Sequence, residues 1–384
     1  MLEPLLDAAL ARAPNDRGAY LDEVCGADAS LRAEIGQLLV ACERLESEPR
    51  YLEQPAAARF ASLWDERFDE VQFQAAIDGR YRIEGEVGRG GMAIVYRVCD
   101  RRDDRQVALK VLRTAASPGG AARFRREITL AGQLRHPNIL ALLDSGENGG
   151  RLWYTMPLVT GESLGARFRR DGRLPIAEGV RLLREICDGL ACAHGHGIVH
   201  RDLKPDNVLL ADGHAVIADF GVAKAIFSAT HGDAAAARTD DIRTVTGVGI
   251  GTPTYMAPEQ CAGERSIDHR ADLYALGIMT YELLAGVTPF TGESRQALVT
   301  AHLAERPAPL SAHRRDIPAS LTALVSRLLE KQAVNRPASA AEVGITLAGI
   351  DSESLGGSGT IPRGQRWTRL WHRWWRGLRP FSPG

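Results

Sequence analysis

An acid, a lysine and an amide are crowded into one stretch, as Asp202, Lys204 and Asn207 of Ile198-Val-His-Arg-Asp-Leu-Lys-Pro-Asp-Asn-Val-Leu-Leu210, and a second acid follows in Asp219-Phe220-Gly221. These types at this spacing suit phosphoryl transfer. Asp202 is the candidate base that orients a hydroxyl and accepts its proton, and Lys204 can neutralise charge on a transferring phosphoryl group. Asn207 and Asp219 are oxygen ligands of the kind magnesium prefers. An isolated Asp-Phe-Gly would more often be a turn, so these residues carry weight only together.

Two further features point to a nucleotide. In Gly88-Arg-Gly90-Gly91-Met-Ala93-Ile-Val95-Tyr96 the missing side chains let backbone N–H groups approach phosphate oxygens closely, although an ordinary Gly-rich hairpin turn would look the same. Lys110 falls inside Gln106-Val-Ala-Leu-Lys-Val-Leu112, a run that reads as a strand, and a strand lysine is most often merely solvated. The elements that must hold these groups follow from the periodicity. Tyr81–Ile83, Ala93–Val98 and Gln106–Leu112 predict a twisted antiparallel sheet, 121–135 a helix, and long apolar-periodic helices dominate from about 176 onward.

Taken in order, these motifs resemble the bacterial eukaryotic-like (Hanks-type) serine/threonine protein kinases, over residues 79–350. The resemblance implies an α+β, bilobal protein kinase fold, with a small β-rich N-lobe (79–157) and a large helical C-lobe (158–350). It implies ATP and Mg²⁺ as cofactors, with Mn²⁺ as a substitute, and protein substrates. Val87, Gly88, Gly90, Gly91, Val95, Ala108, Lys110, Met156, Leu158, Asn207, Leu209 and Asp219 are then expected around the nucleotide, with Asn207 and Asp219 on the metal. Glu127 takes the family position whose carboxylate holds Lys110 against the phosphates. The third glycine of the family loop is Ala93 here. Lys204-Pro205-Asp206-Asn207 and Gly251-Thr252-Pro-Thr-Tyr-Met-Ala-Pro-Glu259 match the Ser/Thr-specific forms, with Thr252 contacting Asp202 and Lys204. Glu259 is expected to pair with Arg336, and Asp272 to anchor the catalytic loop from below. Arg201 and Lys224 would bind a phosphorylated activation-segment threonine, for which Thr244 and Thr246 have the spacing, so autophosphorylation and transient self-association are expected. The other readings are a scaffold that binds nucleotide without turnover and a small-molecule kinase, which would lack the segment around Thr252.

The rest of the chain bounds these expectations. With 47 Lys and Arg against 48 Asp and Glu, the global charge favours no polyanionic partner, and no nucleic acid is expected. The six cysteines show no paired ligand spacing and fit a reducing cytosol. No run of about 18 apolar residues occurs, so the expectation is a cytoplasmic chain with no transmembrane segment. Residues 1–78 read as a helical extension, either structural or regulatory, with stripes at Leu2–Leu10 and Leu31–Cys42 and a further segment from Phe60 to Val71. Residues 351–384 read as a Gly/Ser linker and a basic, Trp-rich amphipathic tail. Over 366–379 tryptophans and leucines face one way and arginines the other, which suits peripheral binding to an anionic membrane surface, docking on the lobe or a partner, or an end without fixed structure.

Overall fold

The structure, a computed structural model, describes residues 12, 14–25, 32, 70–77, 79–90, 93–115, 119–148, 150–220, 253–264, 266–292 and 294–354. The chain divides into two compact units, Met1–Leu63 and Trp64–Gly384. In the first, helix α1 (Pro14–Cys25) buries Leu21 and Cys25, and the Arg12 guanidinium stacks over the Tyr20 ring at 3.7 Å. The stripes expected at Leu2–Leu10 and Leu31–Cys42, and the tail at 366–379, lie outside the described residues, apart from Arg32.

The second unit opens with α2 (Glu70–Ile77), then β1 (Tyr81–Arg89), β2 (Ala93–Asp100), β3 (Arg105–Ala115), α3 (Gly120–Ala131), β4 (Asp144–Asn148) and β5 (Arg151–Pro157). The strands form one antiparallel sheet in the order β1-β2-β3-β5-β4. Because successive side chains alternate across a strand, the sequence sorts itself into two faces. Ile94, Tyr96, Leu109, Val111 and Trp153 leave one face and are covered by Phe73 and Ile77 of α2. Ala93, Leu112, Leu152 and Tyr154 leave the other and meet Phe124 and Ile128 of α3.

Helix α2 is therefore part of the sheet's core. Its Gln74 also extends the hydrogen bonding of β1, with Oε1 accepting from Ile83 N at 3.0 Å and Nε2 donating to Tyr81 O at 3.2 Å. Gln74→Ala should cost about 1–2 kcal/mol. Urea unfolding of the two proteins checks this, and equal midpoints would mean that the amide holds nothing. Helix α3 stops at Ala131, short of the predicted 135. Gly132 and the following His136-Pro137 break the pattern, and the chain leaves through tighter bonds, Gln133 N to Leu130 O at 3.1 Å and Leu134 N to Ala131 O at 3.1 Å.

The large lobe contains α4 (Leu164–Asp171), α5 (Ile176–Gly195), the hairpin β6 (Val208–Ala211) and β7 (His214–Ile217), α6 (Pro258–Cys261), α7 (Arg270–Ala285), α8 (Arg295–Ala304), α9 (Ala319–Leu328) and α10 (Ala340–Ser354). Helix α7 is apolar on almost every side and is buried on almost every side, the central post of the lobe. Gly277 lets it approach α9, since a Cβ there would lie 2.7 Å from the Leu328 side chain. The architecture is the α+β bilobal one expected. Among the described residues no helix is long and apolar enough to cross a membrane.

Candidate active site

The groups expected to do chemistry hang from one sheet face and from two loops braced by α7. Register puts Val95 opposite Lys110 and Lys110 opposite Tyr154, and Ala108 opposite Met156. All of them leave the sheet on the face turned to α3. Ala108 is buried, while Met156 and Leu209 are half-buried and pack against the buried Leu140, Val216 and Ala218. Leu158 follows directly in the strand exit and is half-buried. Val87 is exposed near the tip of β1. The loop there is a hairpin turn closed by Gly90 N to Ala93 O at 2.9 Å, with Gly88 opposite Val95. Gly91 lies outside the described residues.

The loop carrying Asp202 is fixed from below by a buried acid. Asp272, on the first turn of α7, accepts from Arg201 N at 2.8 Å and from His200 N at 2.8 Å, and its Oδ2 also meets His194 Nε2 at 2.8 Å. Burial alone would raise this carboxyl. The bonds from His194 and His200 outweigh it and hold Asp272 below the ordinary carboxylate range. So held, Arg201 adopts a left-handed backbone, φ 67°, which a non-glycine residue takes only where its surroundings dictate it. His200 ties the loop to the next one, accepting from Asp202 N at Nδ1 (3.3 Å) and donating from Nε2 to Ala218 O (2.9 Å).

Asp202 Oδ2 accepts from Lys204 Nζ at 2.8 Å and from Asn207 Nδ2 at 3.1 Å, and Asn207 Nδ2 also donates to Asp202 O at 2.8 Å. The carboxylate is half-exposed, open to an incoming hydroxyl and already oriented. With the Asn207 nitrogen committed to Asp202, its Oδ1 is the atom left for a cation. Asp219 supplies the second oxygen donor. Among the described residues no group of three or more His, Cys, Asp or Glu could enclose a metal by itself. Two oxygen side chains completed by phosphates and water fit magnesium well.

Asp219 is held by two donors. The Lys110 ammonium bonds Asp219 Oδ2 at 2.6 Å, while Glu127, the partner that the resemblance implies for Lys110 against the phosphates, lies half-buried on α3. The cause is local. Asp219 is itself left-handed, φ 63°, which turns its carboxylate into the row formed by Lys110 and Tyr154, and the Tyr154 hydroxyl donates to Oδ1 at 2.6 Å. Burial would raise the Asp219 carboxyl, but the Lys110 charge and both hydrogen bonds hold it below the ordinary range. Burial and the adjacent Asp219 charge push the Tyr154 phenol well up, so it stays a donor.

The sequence reading overlooked Tyr154. The signal was present, since it precedes Met156 by two places in β5 and so shares its face. Thr252, Lys224, Thr244 and Thr246 lie outside the described residues. Glu259 and Arg336 do pair, through two bonds of 2.7 and 2.8 Å, with the guanidinium fully buried.

The chain is similar to known proteins in sequence and in fold. A family pattern described as the protein kinase domain matches residues 81–344. The chain is 37% identical over 286 residues to the serine/threonine-protein kinase pkn3 of Myxococcus xanthus, covering 71% of this chain and 50% of that protein. To the serine/threonine-protein kinase PknB of Mycolicibacterium smegmatis it is 38% identical over 274 residues, covering 70% and 42%. The chain thus spans half or less of the length of these relatives. The crystal structure of the PknI kinase domain of Mycobacterium tuberculosis matches with a TM-score of 0.54 and 31% identity, over 72% of this chain and 96% of that one. Rad53 in complex with AMP-PNP matches with a TM-score of 0.56 and 24% identity, over 72% and 66%, a likeness of fold.

Proposed function

The chain belongs to the protein kinase domain family, and on that premise we propose that it is a serine/threonine protein kinase, moving the γ-phosphoryl group of Mg-ATP onto Ser or Thr hydroxyls of proteins. The observation that carries this reading is the half-exposed Asp202 carboxylate, bonded by Lys204 and Asn207, on a loop hung from the buried Asp272. In the transfer, the substrate oxygen bonds to the γ phosphorus, the bond from phosphorus to the β–γ bridging oxygen breaks, and ADP leaves. Asp202 orients the hydroxyl and takes its proton. Lys204 meets the charge on the transferring group, and Lys110 moves from Asp219 to the α and β phosphates. Asn207 and Asp219 would hold Mg²⁺, which when bound neutralises charge on the β and γ oxygens. In a transition state this loose, positioning and fixed positive charge supply most of the acceleration.

The activation segment is the natural first substrate. Thr244 and Thr246 are its phosphorylation sites in this reading, reached when two copies meet, with Arg201 and Lys224 binding the product phosphate and Thr252 bridging Asp202 and Lys204. The reaction is cytoplasmic, and residues 366–379 bring the chain to an anionic membrane surface. Liposome co-sedimentation with and without residues 360–384 tests that last point, and equal binding refutes it.

Purified full chain incubated with labelled ATP should incorporate phosphate at Thr244, Thr246 or both, and not in Lys110→Met or Asp202→Asn. Chelating Mg²⁺ with EDTA should abolish incorporation and Mn²⁺ should restore it. Nucleotide binding without incorporation on itself or on any protein would favour a scaffold and sink the proposal.

A further inference from the structure

We propose that Tyr154 is a positioning residue for the metal ligand Asp219, an inference that rests on the kinase reading above. Its place is set by the fold. Tyr154 pairs with Lys110 across β3 and β5, so both side chains leave the sheet together toward Asp219. The ring is fully buried against Phe124, Ile128 and Leu142, which fixes where its hydroxyl can go.

The two oxygens of Asp219 are thereby divided. Oδ1 is held by the Tyr154 hydroxyl at 2.6 Å and Oδ2 by Lys110 Nζ at 2.6 Å. The two donors differ in freedom. A lysine head on a four-carbon stem can turn away to phosphates, whereas a phenol inside a packed core cannot follow it. When Lys110 leaves, Oδ2 would be free to take a cation while Oδ1 stays anchored, so the carboxylate is held in one orientation. Hydrogen bonds of this outer kind orient ligating side chains, and losing one typically costs about 10–100-fold in metal affinity or activity.

Phenylalanine would keep the packing and lose only the hydroxyl, which separates positioning from structure. Binding of AMP-PNP to the full chain is measured by calorimetry in EDTA and along a Mg²⁺ series. For Tyr154→Phe we expect the Mg²⁺ midpoint to rise by about 10-fold, with affinity in EDTA unchanged and thermal unfolding still cooperative. In an Asp219→Asn background the same change should move the midpoint no further. An equal midpoint in Tyr154→Phe and the unaltered chain overturns the inference while leaving the kinase reading intact. A lower midpoint also overturns it, making the hydroxyl a brake on Asp219. No gain from Mg²⁺ in the unaltered chain overturns both. Should Tyr154→Phe fail to fold, Tyr154→Met, flexible enough to fill the same pocket, enters the same titration with the same expected rise.

Discussion

Asp202→Asn should lower kcat for phosphate transfer by about 10²–10⁴-fold, the range over which a positioned general base contributes, while leaving nucleotide affinity within a few-fold of normal. The substitution keeps the size of the side chain and removes both its charge and its ability to take a proton. The Asn207 bond to the backbone oxygen at 202, 2.8 Å, survives, so the loop stays in place. Lys204 loses its 2.8 Å partner but remains near the transferring group. Steady-state kinetics with a peptide or protein acceptor, beside a nucleotide-binding titration, separates the two effects. A loss confined to nucleotide affinity, or activity within a few-fold of normal, would remove Asp202 from the chemistry.

The largest effect on stability is expected far from any substrate. Arg336 is fully buried on its side chain and makes two parallel bonds to Glu259, with further donations to Glu330 O at 2.8 Å, Arg270 O at 2.9 Å and Lys331 O at 3.0 Å. Its guanidinium also lies 4.9 Å from the centre of the Tyr274 ring. Arg336→Met leaves the Glu259 carboxylate buried without its counter-charge, and removing one partner of such a pair costs about 3–5 kcal/mol. Urea unfolding should show the midpoint fall accordingly. Adding Glu259→Gln to the same chain should recover part of the loss, because the stranded charge is then gone. A double variant no more stable than Arg336→Met would mean that the cost lies in the lost carbonyl contacts and not in the charge.

What could be read in advance, and what could not, divides along physical lines. The loop around Asp202 was legible because its chemistry depends on residue types at fixed short spacing, and short spacing survives folding. The sheet was legible because Ala93–Val98 and Gln106–Leu112 are short, nearly continuous apolar and β-branched runs, as strands covered on both faces must be. Glu259 with Arg336 came only through the family resemblance, since no local pattern links residues so far apart. The bond from Lys110 to Asp219 was not read in advance, for a different reason. Register, the left-handed turn at Asp219 and the reach of Tyr154 decide it together, and none of the three is a property of a single segment. The role of Phe73 and Ile77 was equally hidden. Their helix is short, and only the sheet beneath it shows which side it buries.

That short helix separates two boundaries that are easily taken as one. The family pattern begins at Tyr81, yet Arg80 bonds Asp144, Tyr81 meets the same buried carboxylate at 3.0 Å, and α2 reaches both β1 and β4, the two outer strands of the sheet. A chain trimmed to the limits of that pattern would keep every residue of the candidate site and still lose the cover over Ile94, Tyr96, Leu109 and Trp153. Bare apolar sheet of that kind invites self-association. What the family pattern matches and what the sheet needs to cover its apolar face are different lengths of polypeptide, and the second is the longer.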